Sequence, residues 1–346
     1  MDINVLKVFA PAVISFVVGL ILTPFLTDWL YKNKMWKKKA GKGSDTPIFN
    51  SLHQEKETGT PRMGGIIIWM SVLCTIGLFY LLTLIWPDNP LFAKLNFLSR
   101  NQTWLPLFTL IVGSLVGLVD DWLQVTGNGD AKAGLSFWKR TVMVLLLGLM
   151  GGLWFYYRLD ISFVYIPFWG TLDLGLLLIP FFMLVMFSLF SSGVIDGLDG
   201  LSGGVMAIIF GAYAGISYFQ GRIDLAAFCV VIVGGTLAFL WFNIPPARFY
   251  MSETGILGLT TALTVVAFLT NSVVILLVIA FPLVITSLSV VIQMASKKFR
   301  GKKVFLVAPL HHHFEALGWP ACKVVMRYWV LSVIFAIVGM IVALIA

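Results

Sequence analysis

LKVFAPAVISFVVGLILTPFL, residues 6–26, holds a single charged side chain, Lys7, in twenty-one positions. About 20 helical residues cross the hydrocarbon of a bilayer, so a stretch of this length and polarity reads as a membrane-spanning helix. It makes a poor secretory leader: only Lys7 stands before its apolar part, it is too long for a leader's hydrophobic region, and no small-residue cleavage pattern follows. The run is therefore expected to stay in the chain.

The same pattern returns near residues 64–86, 104–119, 140–157, 174–192, 203–219, 225–242, 256–270, 272–293 and 325–346, which brings the expected spans to ten. The whole chain is 59% hydrophobic and 12% charged, with a mean hydropathy of +0.94, more apolar surface than a soluble core of 346 residues can hide. A membrane β-barrel would instead show short alternating segments, which are lacking. The expected fold class is all-α, a polytopic integral membrane protein of about ten transmembrane helices built as one domain over residues 1–346. Cys74, Cys229 and Cys322 have no paired spacing and read as packing residues.

Ten spans put both termini on one side and divide the loops into two sets. One set carries 19 of the 24 Lys and Arg, among them Lys32, Lys34, Lys37, Lys38, Lys39, Lys42, Lys56 and Arg62 in the first loop and Lys297, Lys298, Arg300, Lys302 and Lys303 in the last. Lys132, Lys139, Arg140, Arg248, Lys323 and Arg327 complete it, while Lys7, Lys94, Arg100, Arg158 and Arg222 fall on the other side. The positive-inside rule makes the rich side cytoplasmic and sends both termini to the periplasmic, outer side. The net charge of +8 then sits beside anionic lipid headgroups, and no nucleic-acid partner is expected.

The unusual polar residues share the basic side. Asp120 and Asp121 close the third run in GLVDDW, Asp196 and Asp199 follow the fifth in IDGLDGLSGG, Glu253 follows the seventh in FYMSETG, and His311, His312 and His313 stand in the last loop. Acids at a membrane boundary cost several kcal/mol to desolvate unless paired or metal-bound, which makes them functional candidates. Hard carboxylate oxygens among basic residues suit Mg²⁺ and phosphate better than zinc or calcium. Three consecutive histidines cannot all face one ion from a regular helix; one or two of them are expected to meet phosphate. The active site is thus expected from loops 27–63, 120–139, 193–202, 243–255 and 294–324.

Ten spans, the aspartate pair, DGLDGL at 196–201 and PLHHHFEALGWP at 309–320, with GTPRMGG at 59–65, FLWFN at 239–243 and RYW at 327–329, together resemble the phospho-N-acetylmuramoyl-pentapeptide transferases over nearly the full chain. The resemblance implies transfer of phospho-MurNAc-pentapeptide from its UDP carrier to undecaprenyl phosphate, giving lipid I and UMP, with Mg²⁺ as cofactor. It implies catalytic roles for Asp120, Asp121, Glu253 and His312 and a metal site at Glu253 and Asp120. Asp196, Asp199, Tyr250, His311, His313 and Lys139 would bind substrate, Tyr250 by stacking on uracil where a phenylalanine is usual.

The chain departs from that pattern at several motif positions. Glu253 replaces an aspartate, Gly193 an asparagine and Gln124 a lysine, and a segment at 126–138 about two residues longer puts Trp138 in line with another usual lysine. Lys132, Lys139 and Arg140 are the cations at hand to compensate. The nearest rival is a polyprenyl-phosphate GlcNAc-1-phosphate transferase, against which the HHHFEALGWP loop speaks. A transporter would carry ionisable groups and broken helices at the bilayer midplane, and an inactive lipid-binding scaffold is the third alternative. The sequence leaves homodimerisation open.

Overall fold

The structure, a computed structural model, describes residues 3–37, 59–99, 101–127 and 134–346. Lys38, Lys39, Lys42, Lys56, Arg100 and Lys132 lie outside the described residues. The apolar runs fold as helices: α1 (Ile3–Lys32), α2 (Ile66–Ile85), a short α3 (Pro90–Leu95), α4 (Trp104–Thr126), α5 (Phe137–Arg158), α6 (Leu178–Ser191), α7 (Leu201–Phe219), α8 (Ile223–Asn243) and α9 (Ser252–Leu269). Then come α10 (Leu276–Ile279), α11 (Phe281–Arg300), α12 (Leu310–Ala316) and α13 (Ala321–Ile345). Among the described residues nine helices are long and apolar enough to cross a membrane, α6 counting with the 3₁₀ turns that extend it to Gly175–Ile195.

The run expected at 272–293 is not one straight span. It breaks at Ala280, between α10 and α11, and α11 restarts with Pro282 in its first turn. Proline has no N–H to give and is pre-set for a helix start, so the break falls where the sequence places Pro282. α11 then runs on to Lys297, Lys298 and Arg300 in its last turn and is closed by Gly301 in the left-handed region at φ 64°. A second difference is a small antiparallel hairpin between the fourth and fifth spans, β1 (Phe163–Ile166) and β2 (Gly170–Asp173), paired from Phe163↔Asp173 to Ile166↔Gly170. Aromatic and β-branched residues on both sides of a Pro-Phe-Trp-Gly turn favour such a ribbon over a bare loop.

Composition also decides which helix lies in the middle. α9, SETGILGLTTALTVVAFL, is 94% buried, whereas in the most apolar 18-residue stretches of α1 and α13 only 22% of residues are buried, and these helices turn their apolar faces outward. The threonines of α9 satisfy themselves by bonding back to carbonyls one turn earlier, as Thr260 does to Ile256 and Thr264 to Thr260. Thr261 also reaches across to the Thr109 carbonyl of α4. Small residues let α4 and α9 approach backbone to backbone. A Cβ on Gly117 of α4 would lie 2.1 Å from the Glu253 carbonyl oxygen of α9. This contact sets the height of the two acidic segments relative to one another. Gly117→Ala is therefore expected to destabilise the protein by about 1–3 kcal/mol in thermal unfolding in detergent. Gly77→Ala, whose Cβ would meet nothing within 4 Å, should be neutral or stabilising by up to about 1 kcal/mol.

Candidate active site

Helix α4 runs past the expected end of its span, so Asp120 and Asp121 lie within its last turns, both fully buried. A buried carboxylate must find donors. Oδ1 of Asp121 accepts from Arg62 Nε (3.1 Å) and Nη2 (3.0 Å), and its Oδ2 accepts from the Thr254 backbone N–H (2.9 Å) and hydroxyl (2.7 Å). Thr254 stands in the first turn of α9, where backbone N–H groups have no partner inside the helix. Asp121 thus caps the helix that carries Glu253.

Asp196 caps the same helix start. It accepts from the Ser252 N–H (2.9 Å) and from the Ser202 hydroxyl (2.6 Å). Burial lifts its pKa above the ordinary aspartate value, and those two hydrogen bonds pull it back only in part. Asp199, three residues on, accepts from the Ala247 N–H at 3.4 Å. Directly after Asp199, Gly200 takes φ 80°, a conformation open to glycine, and its N–H and carbonyl are held by Asn243 Oδ1 (2.8 Å) and Trp329 Nε1 (3.1 Å). Asn243 also donates to the Phe249 carbonyl (2.8 Å). Tyr250, half-buried, is fastened by its backbone to Pro61 and Gly64 of the GTPRMGG segment.

Asp120 is held differently. The Leu135 N–H reaches its Oδ1 at 2.5 Å, while Gln124 Nε2 (2.9 Å) and Arg140 Nη1 (3.4 Å) reach its Oδ2. The same Arg140 nitrogen lies 2.5 Å from Glu253 Oε1, so one guanidinium bridges acids from α4 and α9. Lys139 beside it is exposed in the first turn of α5, and it is Arg140 whose guanidinium lies on the carboxylates.

The histidines occupy α12, where His311 and His312 are buried with ring centroids 4.2 Å apart. His312 Nδ1 pairs with Glu315 at 2.8 Å, and His313 Nδ1 accepts from the Leu306 N–H at 3.2 Å. A Cβ on Gly197 would lie 2.3 Å from His311 Nε2 and 2.8 Å from His312 Nε2, so the DGLDG turn sits against the imidazoles. Asp120, Asp121, Asp196, Glu253, His311 and His312 are thereby linked at one end of the bundle, with His313 turned toward the 301–310 loop.

Sequence reasoning overlooked Arg62, Thr254, Gly197, Asn243 and Glu315 as parts of this arrangement, and named Arg140 only as one of three compensating cations. Arg62 and Asn243 stand inside segments quoted for the resemblance, GTPRMGG and FLWFN. An Arg just ahead of an apolar run, on the same side as the acids of GLVDDW, IDGLDG and MSETG, was the available signal for Arg62. Among the described residues no three His, Cys, Asp or Glu side chains gather into a ready metal cluster. Magnesium does not require one, since it is commonly held by one or two carboxylates together with substrate phosphates. Asp120 and Glu253 fit that use: a cationic nitrogen already lies between them.

A helical membrane bundle that gathers acids, guanidiniums and imidazoles at one end has the build of a membrane transferase for phosphorylated substrates, and residues 103–271 match the model of glycosyl transferase family 4. The chain is 37% identical over 334 residues to the phospho-N-acetylmuramoyl-pentapeptide-transferase of Geobacillus sp. (strain WCH70), covering 94% of this chain and 95% of the relative. It is 34% identical to the transferase of that name from Clostridium perfringens (strain 13 / Type A), over 96% and 98% of the two chains. With the one from Borrelia turicatae (strain 91E135) it shares 33% identity over 95% and 92%. The chain belongs to the phospho-N-acetylmuramoyl-pentapeptide-transferase family. Because Asp121 neutralises Arg62 and caps α9 together, Asp121→Asn should cost about 2–4 kcal/mol in thermal unfolding, more than a surface charge change would.

Proposed function

We propose that this chain transfers phospho-N-acetylmuramoyl-pentapeptide from UDP-MurNAc-pentapeptide to undecaprenyl phosphate at the cytoplasmic face of a bacterial inner membrane, releasing UMP and forming lipid I. The observation that carries the reading is the meeting of Asp120 and Glu253 on one cationic nitrogen, next to a helix start capped by Asp121 and Asp196. Such a site offers both negative and positive groups to a reaction in which two phosphates must approach. Orientation is supported by the 19 of 24 Lys and Arg in the loops on the site's side.

The reaction is an in-line displacement: an oxygen of the lipid phosphate attacks the phosphorus joined to the sugar, and UMP departs with the electron pair of the broken P–O bond. Little covalent chemistry is asked of the protein, so positioning and charge dominate. Asp120 is placed to take a proton from the lipid phosphate or to orient it. Arg62 and Arg140 offset charge spreading over the phosphoryl oxygens, and the His311–His312 pair faces the diphosphate from the side of Gly197. Tyr250, Asp199 and Asp196 accommodate the nucleoside. Glu253 and Asp120 would hold magnesium, which when bound would supply charge neutralisation for the diphosphate.

Purified protein with Mg²⁺, undecaprenyl phosphate and UDP-MurNAc-pentapeptide should release UMP and yield a lipid-linked product. Turnover with UDP-GlcNAc alone would move the assignment to the GlcNAc-1-phosphate transferases. Asp120→Asn should lower kcat by about 100-fold or more, and chelation should abolish turnover. Wild-type rates in either case refute the site. Gly197→Ala is expected to lower kcat by about 10- to 100-fold through displaced imidazoles.

A further inference from the structure

Arg140 is the least settled side chain of the site. Its Nη1 serves two acids at once, at 2.5 Å from Glu253 and 3.4 Å from Asp120, while its buried Nε has no hydrogen-bond partner among the described residues. Arg62, by contrast, puts Nε and Nη2 on the same oxygen of Asp121, whose other oxygen is taken by Thr254. A guanidinium that leaves a buried donor unmet is held by charge more than by fit. The acids differ in the same way. Asp121 accepts four hydrogen bonds, whereas among the described residues Glu253 is held by Arg140, and it keeps 26% of its side chain exposed.

We propose that Arg140 is a resident counter-cation: it holds Asp120 and Glu253 together in the substrate-free protein, competes there with divalent metal, and swings onto a phosphate when metal and donor arrive. The inference rests on the magnesium site assigned above and concerns the residue that guards it. Arg140 lies in the first turn of α5, beyond the segment that ends in Trp138, so its backbone stays fixed while its long side chain exchanges one pair of anionic oxygens for another. Both arrangements keep the guanidinium paired with oxyanions. The arrival of a divalent cation would otherwise leave Arg140 facing a like charge, so displacement is the electrostatic outcome. Arg140 is then a positioning residue in the empty site and a phosphate donor in the loaded one.

The test reads metal binding apart from turnover. Mn²⁺ binding to substrate-free protein in detergent, followed by electron paramagnetic resonance of the free ion, should tighten about tenfold in Arg140→Gln, because the competing cation is gone. In Arg140→Lys, which keeps the charge without the fork, affinity should stay near wild type. Glu253→Gln should weaken binding in either background. A merely structural role for Arg140 cannot produce tighter binding, and a misfolded variant would lose it. With UDP-MurNAc-pentapeptide, Arg140→Gln should show a lower Mg²⁺ activation midpoint together with a raised donor KM. Equal or weaker Mn²⁺ affinity in Arg140→Gln overturns the proposal, as does binding that ignores Glu253→Gln. The functional reading fails by a separate result: wild-type protein that binds Mn²⁺ at Glu253 yet releases no UMP from the donor.

Discussion

The start of α9 is buried, with Ser252 and Thr254 both shielded from solvent, and the first turn of any helix exposes N–H groups that have no partner within it. In this protein two carboxylates meet that demand, Asp196 at the Ser252 N–H and Asp121 at the Thr254 N–H. Charged acceptors at a helix N-terminus make strong bonds and also suit the helix dipole. Asp121 comes from α4 and Asp196 from the turn after α6, so a single helix end ties three stretches of chain together. Arg62 extends the tie to a fourth by neutralising Asp121. Glu253, enclosed between the two capped residues, has its place set before any substrate is present.

The acids thereby separate into two kinds. Asp121 and Asp196 spend their oxygens on the fold, while Asp120 and Glu253 share a guanidinium that other partners can replace. Binding energy from substrate is best used on groups that do not have to be taken from the scaffold first. Keeping the structural acids saturated allows the other pair to exchange partners without loosening α9. The tight α4–α9 contact at Gly117 serves the same end, since it limits how far the exchangeable pair can drift.

The membrane architecture was legible in the sequence because apolar length is a one-dimensional property: nine of the ten expected runs became long apolar helices. The remaining run kept its place but not its straightness, and Pro282 and the basic end of α11 were visible signs of that. The β1–β2 hairpin was missed because four-residue strands leave too little alternation to read. At the site, residue types announced Asp120, Asp121, Asp196, Glu253 and the histidines. Partnerships were not legible, since Arg62 meets Asp121 and Asp121 meets Thr254 only through folding. Gly197 was overlooked because its role, leaving room for the His311–His312 pair, depends on where α12 docks.

Two departures from the family pattern make physical sense together. Trp138 stands where the resemblance implies a lysine, and the cation on Asp120 and Glu253 is two residues later, at Arg140. A carboxylate on a backbone pinned against Gly117 can meet that displaced cation by being longer, and glutamate adds one methylene to aspartate. Arg140 in turn has the longest reach of the cationic side chains and a fork that can touch two acids. Glu253 and Arg140 therefore meet across the two helices by the length of both side chains. Asp120 needs no such adjustment, because Gln124 one turn along α4 and the Leu135 N–H hold it directly. Shortening Glu253 alone would draw its oxygen away from Arg140 and leave the guanidinium to Asp120.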